Sequence, residues 1–584
     1  MTSHQETPTS AGDEERACVS RDAARVGILG MPAAEPMHWL TGGALAMVVL
    51  SVGGLLGLLL VHGLFAFWPK PIVRLSMTDG RAYLGEVLSW NASPTASARR
   101  DLIVASRSAS DPETIGDMIL RVSNRSPSPS SSDSGIVRLP RRAIASQTID
   151  PWAVAIDLGG NVRLFGTPTA FYEQSTLIAD EPARIWPLFE TRHREVRQQR
   201  RDAQREKDNV LADVDRLLAS KRRELAAARA RSQASPQAVD DAEEALAYAR
   251  SESDKELDRL RERLAQVEAS TQRYRMIVKG TDGTTWNLAL VDIVRGSAPN
   301  QAGFLSAVVT SCERWKEFLT TGAGDSVQQS GIYPAIVGTL AVTMIMTVLV
   351  VPVGVMAAFF LREYTRNPTL RFCLRITIRN LAGIPSIVFG VFGLLLFCDT
   401  IGPALDALWF ADSLPWPTFG KGGLLWAGCT LALLTLPVVI VSTEDAVAVV
   451  PSSVRQASYA CGASQWQTIQ RVILPYALPG IATGTLLAIA RAAAAVAPLM
   501  LVGAVTMTHG SEGNETFSQL QLDQEFMHLG LHVYNLAFET DDHWTTRPLL
   551  YATALVLLVI VISLNMVAIA LRSRWRQRLA VREL

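Results

Sequence analysis

Residues 443–498 read TEDAVAVVPSSVRQASYACGASQWQTIQRVILPYALPGIATGTLLAIARAAAAVAP, and the fold is decided here. A polar, helix-forming loop lies between two apolar runs. Pro451 followed by Ser452 and Ser453 suits a helix start, because proline is tolerated in the first turn and a serine hydroxyl accepts an orphan backbone N–H. Gly462 ends that helix, and Ser464 caps a second one running through Arg471. Pro475 and Pro479 mark entry to the next apolar segment. The predicted unit is helix, sharp turn, helix, with Val454, Ala457, Tyr459 and Trp466 available to a partner's groove. An ordinary helical hairpin is the plainer alternative.

Working outward, the apolar content of the chain is clustered into runs. Trp39–Phe67 contains no Asp, Glu, Lys or Arg and is long enough to cross a bilayer, with Trp39 and Trp68 at the two interfaces. Further runs are Ile332–Leu361, Leu381–Cys398, Gly422–Ser442, Leu478–Met507 and Leu549–Leu571, giving six spans. Arginines 362, 366, 371, 375 and 379 follow the second span, Arg455 and Arg471 lie in the loop 444–477, and arginines 572, 574, 576, 578 and 582 follow the last. With six spans all three groups fall on one side, which the positive-inside rule makes the cytoplasm. Both termini then lie inside, and residues 69–331 lie outside.

The outer segment has its own pattern. Short β-like runs at Ile72–Met77 and Ala82–Trp90 flank Asp79-Gly80; others are Leu102–Ala105, Met118–Val122 and Ile136–Leu139. Ala153–Ile156 and Val162–Phe165 flank Gly159-Gly160, and Ser126–Ser134 is a low-complexity loop. Residues 191–273 are highly charged, with heptad-like steps at Leu211, Val214, Leu218 and Leu225 and at Leu257, Leu260, Leu264 and Val267, broken by Ser235-Pro236. They predict an antiparallel coiled-coil hairpin inserted into a β domain that closes with Tyr274–Val294. The arginines from Arg192 to Arg205 alternate with Glu and Asp, so a solvated helix face is preferred to a nucleic-acid site.

The expected organisation is therefore a tail at 1–36, a first transmembrane helix at 37–68, β-rich domain at 69–190, coiled coil at 191–273, β hairpin and connector at 274–331, a five-helix transmembrane domain at 332–572 and a basic tail at 573–584. The fold class is mainly α, a polytopic membrane protein. A formal net charge of +0 gives no pointer to nucleic acid, and six scattered cysteines suggest neither a disulfide framework nor a zinc site. No phosphate-cradling G-x-x-x-x-G-K-[ST] loop occurs, and no nucleophile–base set or metal cluster emerges, so an enzyme acting alone is disfavoured.

Gln456-Ala457-Ser458, Gly462 and Ile473-Leu474-Pro475 resemble the cytoplasmic loop of ABC importer permeases, E-A-A, three residues, G, nine residues, I-x-L-P. NLAGIPSIVFGVFG (Asn380–Gly393) looks like the signature of phosphate ABC importer permeases, and residues 444–466 and 483–501 are close to the PstA-type subunit. His532–Phe538 resembles that family's short external segment. The resemblance covers 332–572 and not 69–331. It implies an ABC permease fold and a coupling loop, 444–477, that docks on an ATPase. In that loop Glu444, Gln456, Ala457, Ser458, Gly462, Leu474 and Pro475 are the candidate residues. It also implies a second, PstC-type permease, a PstB-type ATPase dimer holding ATP and Mg, an external phosphate-binding protein and the bacterial inner membrane.

Arg491 is the candidate for the anion path. It lies inside an apolar segment, where an ionisable group usually faces a cavity or a partner, and a guanidinium donates paired hydrogen bonds to phosphate. Pairing with a carboxylate or backbone carbonyls is the structural alternative. The family's A-R-x-A-G-E-T-A-P reads here Ala490-Arg491-Ala492-Ala493-Ala494-Ala495-Val496-Ala497-Pro498, so Ala495 stands where the family has Glu. Phosphate with a retuned site, another anion, and a scaffold or regulatory role all stay open. Gly383, Pro385, Ser386 and Gly390 suit close helix packing, with gating as the alternative.

Overall fold

The computed structural model describes residues 36–89, 117–123, 135–140, 143–158, 162–230, 236–322, 331–409, 418–505, 522–540 and 543–580. The expected tail, the strand at Leu102–Ala105, the loop Ser126–Ser134 and the turn Gly159-Gly160 lie outside them. The first compact unit ends at Leu64 and contributes helix α1 (Pro36–Leu64), whose Leu45, Val48 and Leu55 are exposed. The second unit, Phe65–Leu584, holds everything else.

Two antiparallel sheets follow. The first has the order β4-β3-β2-β1-β5, from β1 (Ile72–Met77), β2 (Ala82–Ser89), β3 (Asp117–Val122), β4 (Ile136–Pro140) and β5 (Ile144–Thr148). The β1–β2 hairpin turns at Gly80, whose φ of 84° only glycine adopts without strain. The second sheet has the order β10-β9-β7-β6-β11, with β8 (Thr176–Ala179) on β7. Strands β6 (Val154–Leu158) and β7 (Arg163–Glu173) precede a helical pair; β9 (Tyr274–Lys279), β10 (Thr285–Ala289) and β11 (Ile293–Ser297) follow it. Ile72, Leu84, Ala155 and Phe165 form a shared core between the sheets.

The helical pair is α2 (Pro182–Ala230) and α3 (Pro236–Thr271). It runs antiparallel: Arg229 pairs with Glu243 near the tip and Arg263 with Glu206 nearer the base. Val214, Leu225, Leu246 and Leu260 are buried along the seam. Helix α2 begins nine residues before the expected position 191, because Ile185, Trp186 and Phe189 are apolar and pack on the second sheet. Helix α4 (Phe304–Thr320) then leads back toward the apolar region. Its Glu317 accepts from Arg295 of β11 at 2.7 Å and from Arg197 of α2 at 3.1 Å, tying three elements together.

Six helical segments among the described residues are long and apolar enough to cross a membrane: Thr41–Phe67, Tyr333–Tyr364, Ser386–Trp409, Leu424–Ala448, Gln465–Ala493 and Trp544–Ala570. The number agrees with the sequence reading, but the boundaries shift, most of all in the third span and in the fifth, which starts at Gln465 and not Leu478. The third span is α7 (Ser386–Gly393), a π turn and α8 (Gly402–Trp409); it starts at Ser386, because Leu381 and Ala382 belong to a separate amphipathic helix, α6 (Pro368–Ala382), and it ends at Trp409 and not Cys398. The fifth ends at Ala493, not Met507: Pro498 has no N–H to donate to the Ala494 carbonyl and its ring crowds that carbonyl, so the helix stops and a new short one starts at Ala497. The core is built by α5 (Tyr333–Phe359), α9 (Leu424–Ala448) and α12 (Leu474–Ala493), through Val342, Met346, Leu431, Ala488 and Ala492.

Candidate functional site

The polar loop folds as helix α10 (Ser452–Ala460), a turn, and short helix α11 (Gln465–Thr468), which continues through a π turn (Ile469–Ile473) into α12. Gly462 makes the turn at φ 80°, and its N–H and that of Ala463 bond back to Tyr459 and Ser458 carbonyls. Ser464 and Gln467 form a reciprocal capping box. The expected serine cap of the first helix is not formed: Pro451 is the N-cap residue and Ser452 is already inside the helix. Gln456 and Ala457 are exposed, as are Tyr459 and, at 61%, Trp466. An apolar, solvent-facing patch of this kind on a short helical unit suits a groove on another protein.

Buried polar contacts hold this unit to the membrane helices. Glu363, in the π turn that ends α5, accepts from Arg455 Nη1 at 2.6 Å. Arg455 Nη2 donates to the Val447 carbonyl at 2.7 Å, and Gln465 donates to the Glu363 carbonyl at 2.8 Å. Ser458 and Thr468 hydroxyls meet at 2.9 Å across the turn. Ser458 is thus an internal brace. Glu444 lies inside α9, buried and paired with Arg375 of α6. Leu474 packs with Phe359, Val447 and Ile473 at the joint between loop and membrane helix, and Pro475 opens α12. Of the expected coupling residues, Gln456, Ala457 and the turn at Gly462 are at the surface; Glu444, Ser458, Leu474 and Pro475 support it.

The second feature is a pair of helix breaks. Helix α6 ends at Ala382; Gly383 caps it, and Pro385 precedes α7 (Ser386–Gly393). Helix α12 ends at Ala493, and α13 (Ala497–Val502) follows after Ala494–Val496. Arg491 therefore sits in the last turn of a broken helix, not in the middle of a continuous one. A cation is favoured there by the helix dipole. Its Nη2 reaches the Ala382 carbonyl at 3.4 Å, a long bond that links the two breaks. Among the described residues Arg491 makes no ion pair, and it is half-buried.

Gly390 faces α13: a Cβ there would lie 2.7 Å from Pro498 Cα, so it is a packing glycine. Gly383 is different, since a Cβ would meet only Asn380 O at an ordinary 3.4 Å; its place is the helix end. Val496 lies against Gly530 of α14 (Leu529–Phe538), which His528 caps by accepting from Gly530 N–H at 3.1 Å. Sequence reading missed Glu363, the anchor of α10. Its partner is 92 residues away, and no spacing rule joins them.

A family described as "Binding-protein-dependent transport system inner membrane component" matches residues 350–580. The "Phosphate transport system permease protein PstA" of Yersinia pestis is 33% identical over 41% of this chain and 71% of its own length. The chain belongs to this permease family. The PstA protein of Mycobacterium leprae is 37% identical to the permease over 38% of this chain and 66% of its own length. The permease thus spans about two thirds of the length of these relatives. Among solved structures, a chain of the MetNI methionine ABC transporter in an inward-facing conformation is 17% identical, covering 42% of this chain and 94% of that one at a TM-score of 0.29. The family match does not reach residues 69–331.

Proposed function

We propose that this permease is one of two membrane subunits of an ATP-driven importer of inorganic phosphate. A separate ATPase dimer, holding ATP and Mg, docks on the α10–α11 unit, and an external binding protein delivers the ion. Termini on the cytoplasmic side put the docking unit where ATP is and residues 69–331 outside. The observation that carries the substrate is Arg491: an arginine without an ion pair among the described residues, at the junction of two broken helices, in a chain whose relatives are named phosphate permeases. Broken helices buried in protein are where membrane transporters present backbone and charge to an ion.

The test is labelled phosphate uptake into proteoliposomes holding the permease with its co-purifying subunits and binding protein. Arg491→Ala should abolish ATP-dependent uptake while assembly persists; uptake at the wild-type rate removes Arg491 from the path. A second reading, a membrane scaffold or importer of another anion, is favoured by Ala495 in place of the family's Glu and by the large external domain. It prevails when the assembled wild-type complex takes up no phosphate. Gain of uptake in Ala495→Glu would then assign the deficit to the missing carboxylate.

A further inference from the structure

A second concentration of positive charge lies at the base of the external domain. A cavity of about 110 Å³ opens there between β2, β3, β6, β11 and α4 on one side and the ends of two apolar segments on the other. A single water needs about 10–15 Å³ on the same measure, so there is room for several waters or one compact oxyanion. Five cationic side chains line it, Lys70, Arg121, Arg163, Arg295 and Arg314, against two carboxylates, Glu86 and Asp157.

The carboxylates are already engaged. Arg163 lies 3.4 Å from Glu86 and 3.3 Å from Asp157. Arg295 is held from outside the cavity by Glu317 at 2.7 Å. Lys70 and Arg314 make no ion pair within 4.0 Å among the described residues, and the Nε of Arg314 is buried without a hydrogen-bond partner. Burial, and then the neighbouring Arg295 and Arg163, push the Arg314 guanidinium down to about 10. Glu86 and Asp157 oppose that fall without cancelling it, and holding five cations against two carboxylates in one partly buried place is costly.

The remaining wall is apolar and aromatic: Phe67 and Trp68 at the end of the first membrane segment, Trp544 and Leu549 at the start of the last. Tryptophans at segment ends mark the level of the lipid headgroups. Guanidinium forks donate in pairs to phosphate oxygens, on a lipid headgroup or on a free ion alike.

We infer that this cavity binds a phosphate group, carried either by an anionic lipid headgroup or by the free ion. The site is independent of Arg491 and of the transport reading.

The test uses the full-length chain in an Arg491→Ala background, so that the proposed path does not contribute. One arm measures retention of phosphatidylglycerol against phosphatidylcholine from mixed nanodiscs by native mass spectrometry. The other measures binding of labelled inorganic phosphate in detergent. Selective retention of phosphatidylglycerol, reduced at least tenfold in Arg314→Gln and in Lys70→Gln and partly kept in Arg314→Lys, establishes the site with a lipid occupant. Phosphate binding with the same variant pattern establishes it with the free ion. Lys70 is half-exposed, so Lys70→Gln carries the result should Arg314→Gln fail to fold. Absence of both ligands from the parent chain, or binding unchanged in the variants, overturns the inference.

Discussion

Replacing Glu363 by Ala isolates the contact that fixes helix α10 to the end of α5. The Glu363 side chain is 8% exposed and that of Arg455 19%, with 2.6 Å between Oε1 and Nη1. Removing one partner of a buried pair costs about 3–5 kcal/mol, since the other charge is left uncompensated. Arg455 keeps its bond to the Val447 carbonyl and has some access to water, which lowers the cost to about 2–3 kcal/mol. The Gln465 bond goes to the Glu363 backbone and survives the substitution, so the loss falls on α10 and not on α11. That energy corresponds to a roughly 30–150-fold larger open population of α10. Hydrogen exchange of amides 453–460 reads it directly, as a fall in protection of that size with α12 amides unchanged. Arg455→Ala should give a similar fall, and the double substitution little more than either alone. Protection within threefold of wild type in Glu363→Ala, or additive effects in the double variant, would refute the assignment of Glu363 as the anchor.

Three further outcomes follow from the same geometry. Gly462→Ala should cost about 1–2 kcal/mol from backbone strain alone, because a Cβ there meets nothing within 4 Å; Gly462→Asn should cost less, and exchange of the Gly462 turn measures both. Gly484→Ala should overpack the α9–α12 contact, since its Cβ would run into the Ser442 side chain, at a cost of about 1–3 kcal/mol; a lower yield of monodisperse protein, restored by adding Ser442→Gly, is the expected result. His193 of α2 bonds the Ile293 carbonyl of β11 at 2.8 Å, and burial holds its ring below the ordinary 6.5. The folded state therefore favours the neutral ring: the stabilisation is complete above about 6.5 and is lost as pH falls through the lower folded value. Exchange protection of β11 should drop over that acid range in wild type and lose this dependence in His193→Gln.

The membrane architecture was legible in the residues because it follows from local composition. An apolar run of bilayer length has few alternatives to a spanning helix. Turn chemistry was legible for the same reason: Asp79-Gly80 puts a glycine at φ 84°, where other residues are strained. Strands β5 and β8 were not legible. IASQT and TLIA are short edge segments whose side chains are mostly exposed, so no alternating apolar pattern forms. Strand β7 runs to Glu173, beyond the expected end at Phe165 and through Pro168, which the sheet accommodates at a register shift against β9.

By itself, the sequence determined the six apolar segments and the helix–turn–helix loop and singled out Arg491 as a candidate, all from residue type and near-neighbour spacing. The tertiary structure alone decided which charges meet. Glu363 finds Arg455, Glu444 turns inward to Arg375, and Lys70 and Arg314 line one cavity from distant parts of the chain. It also decided that the alanine run after Arg491 breaks, although alanine is the best helix former, because Pro498 cannot bond the Ala494 carbonyl and the packing of α13 on Gly390 redirects the chain. Local propensity acts over a few residues, whereas ion pairing and close packing act through space, and only the fold sets those distances.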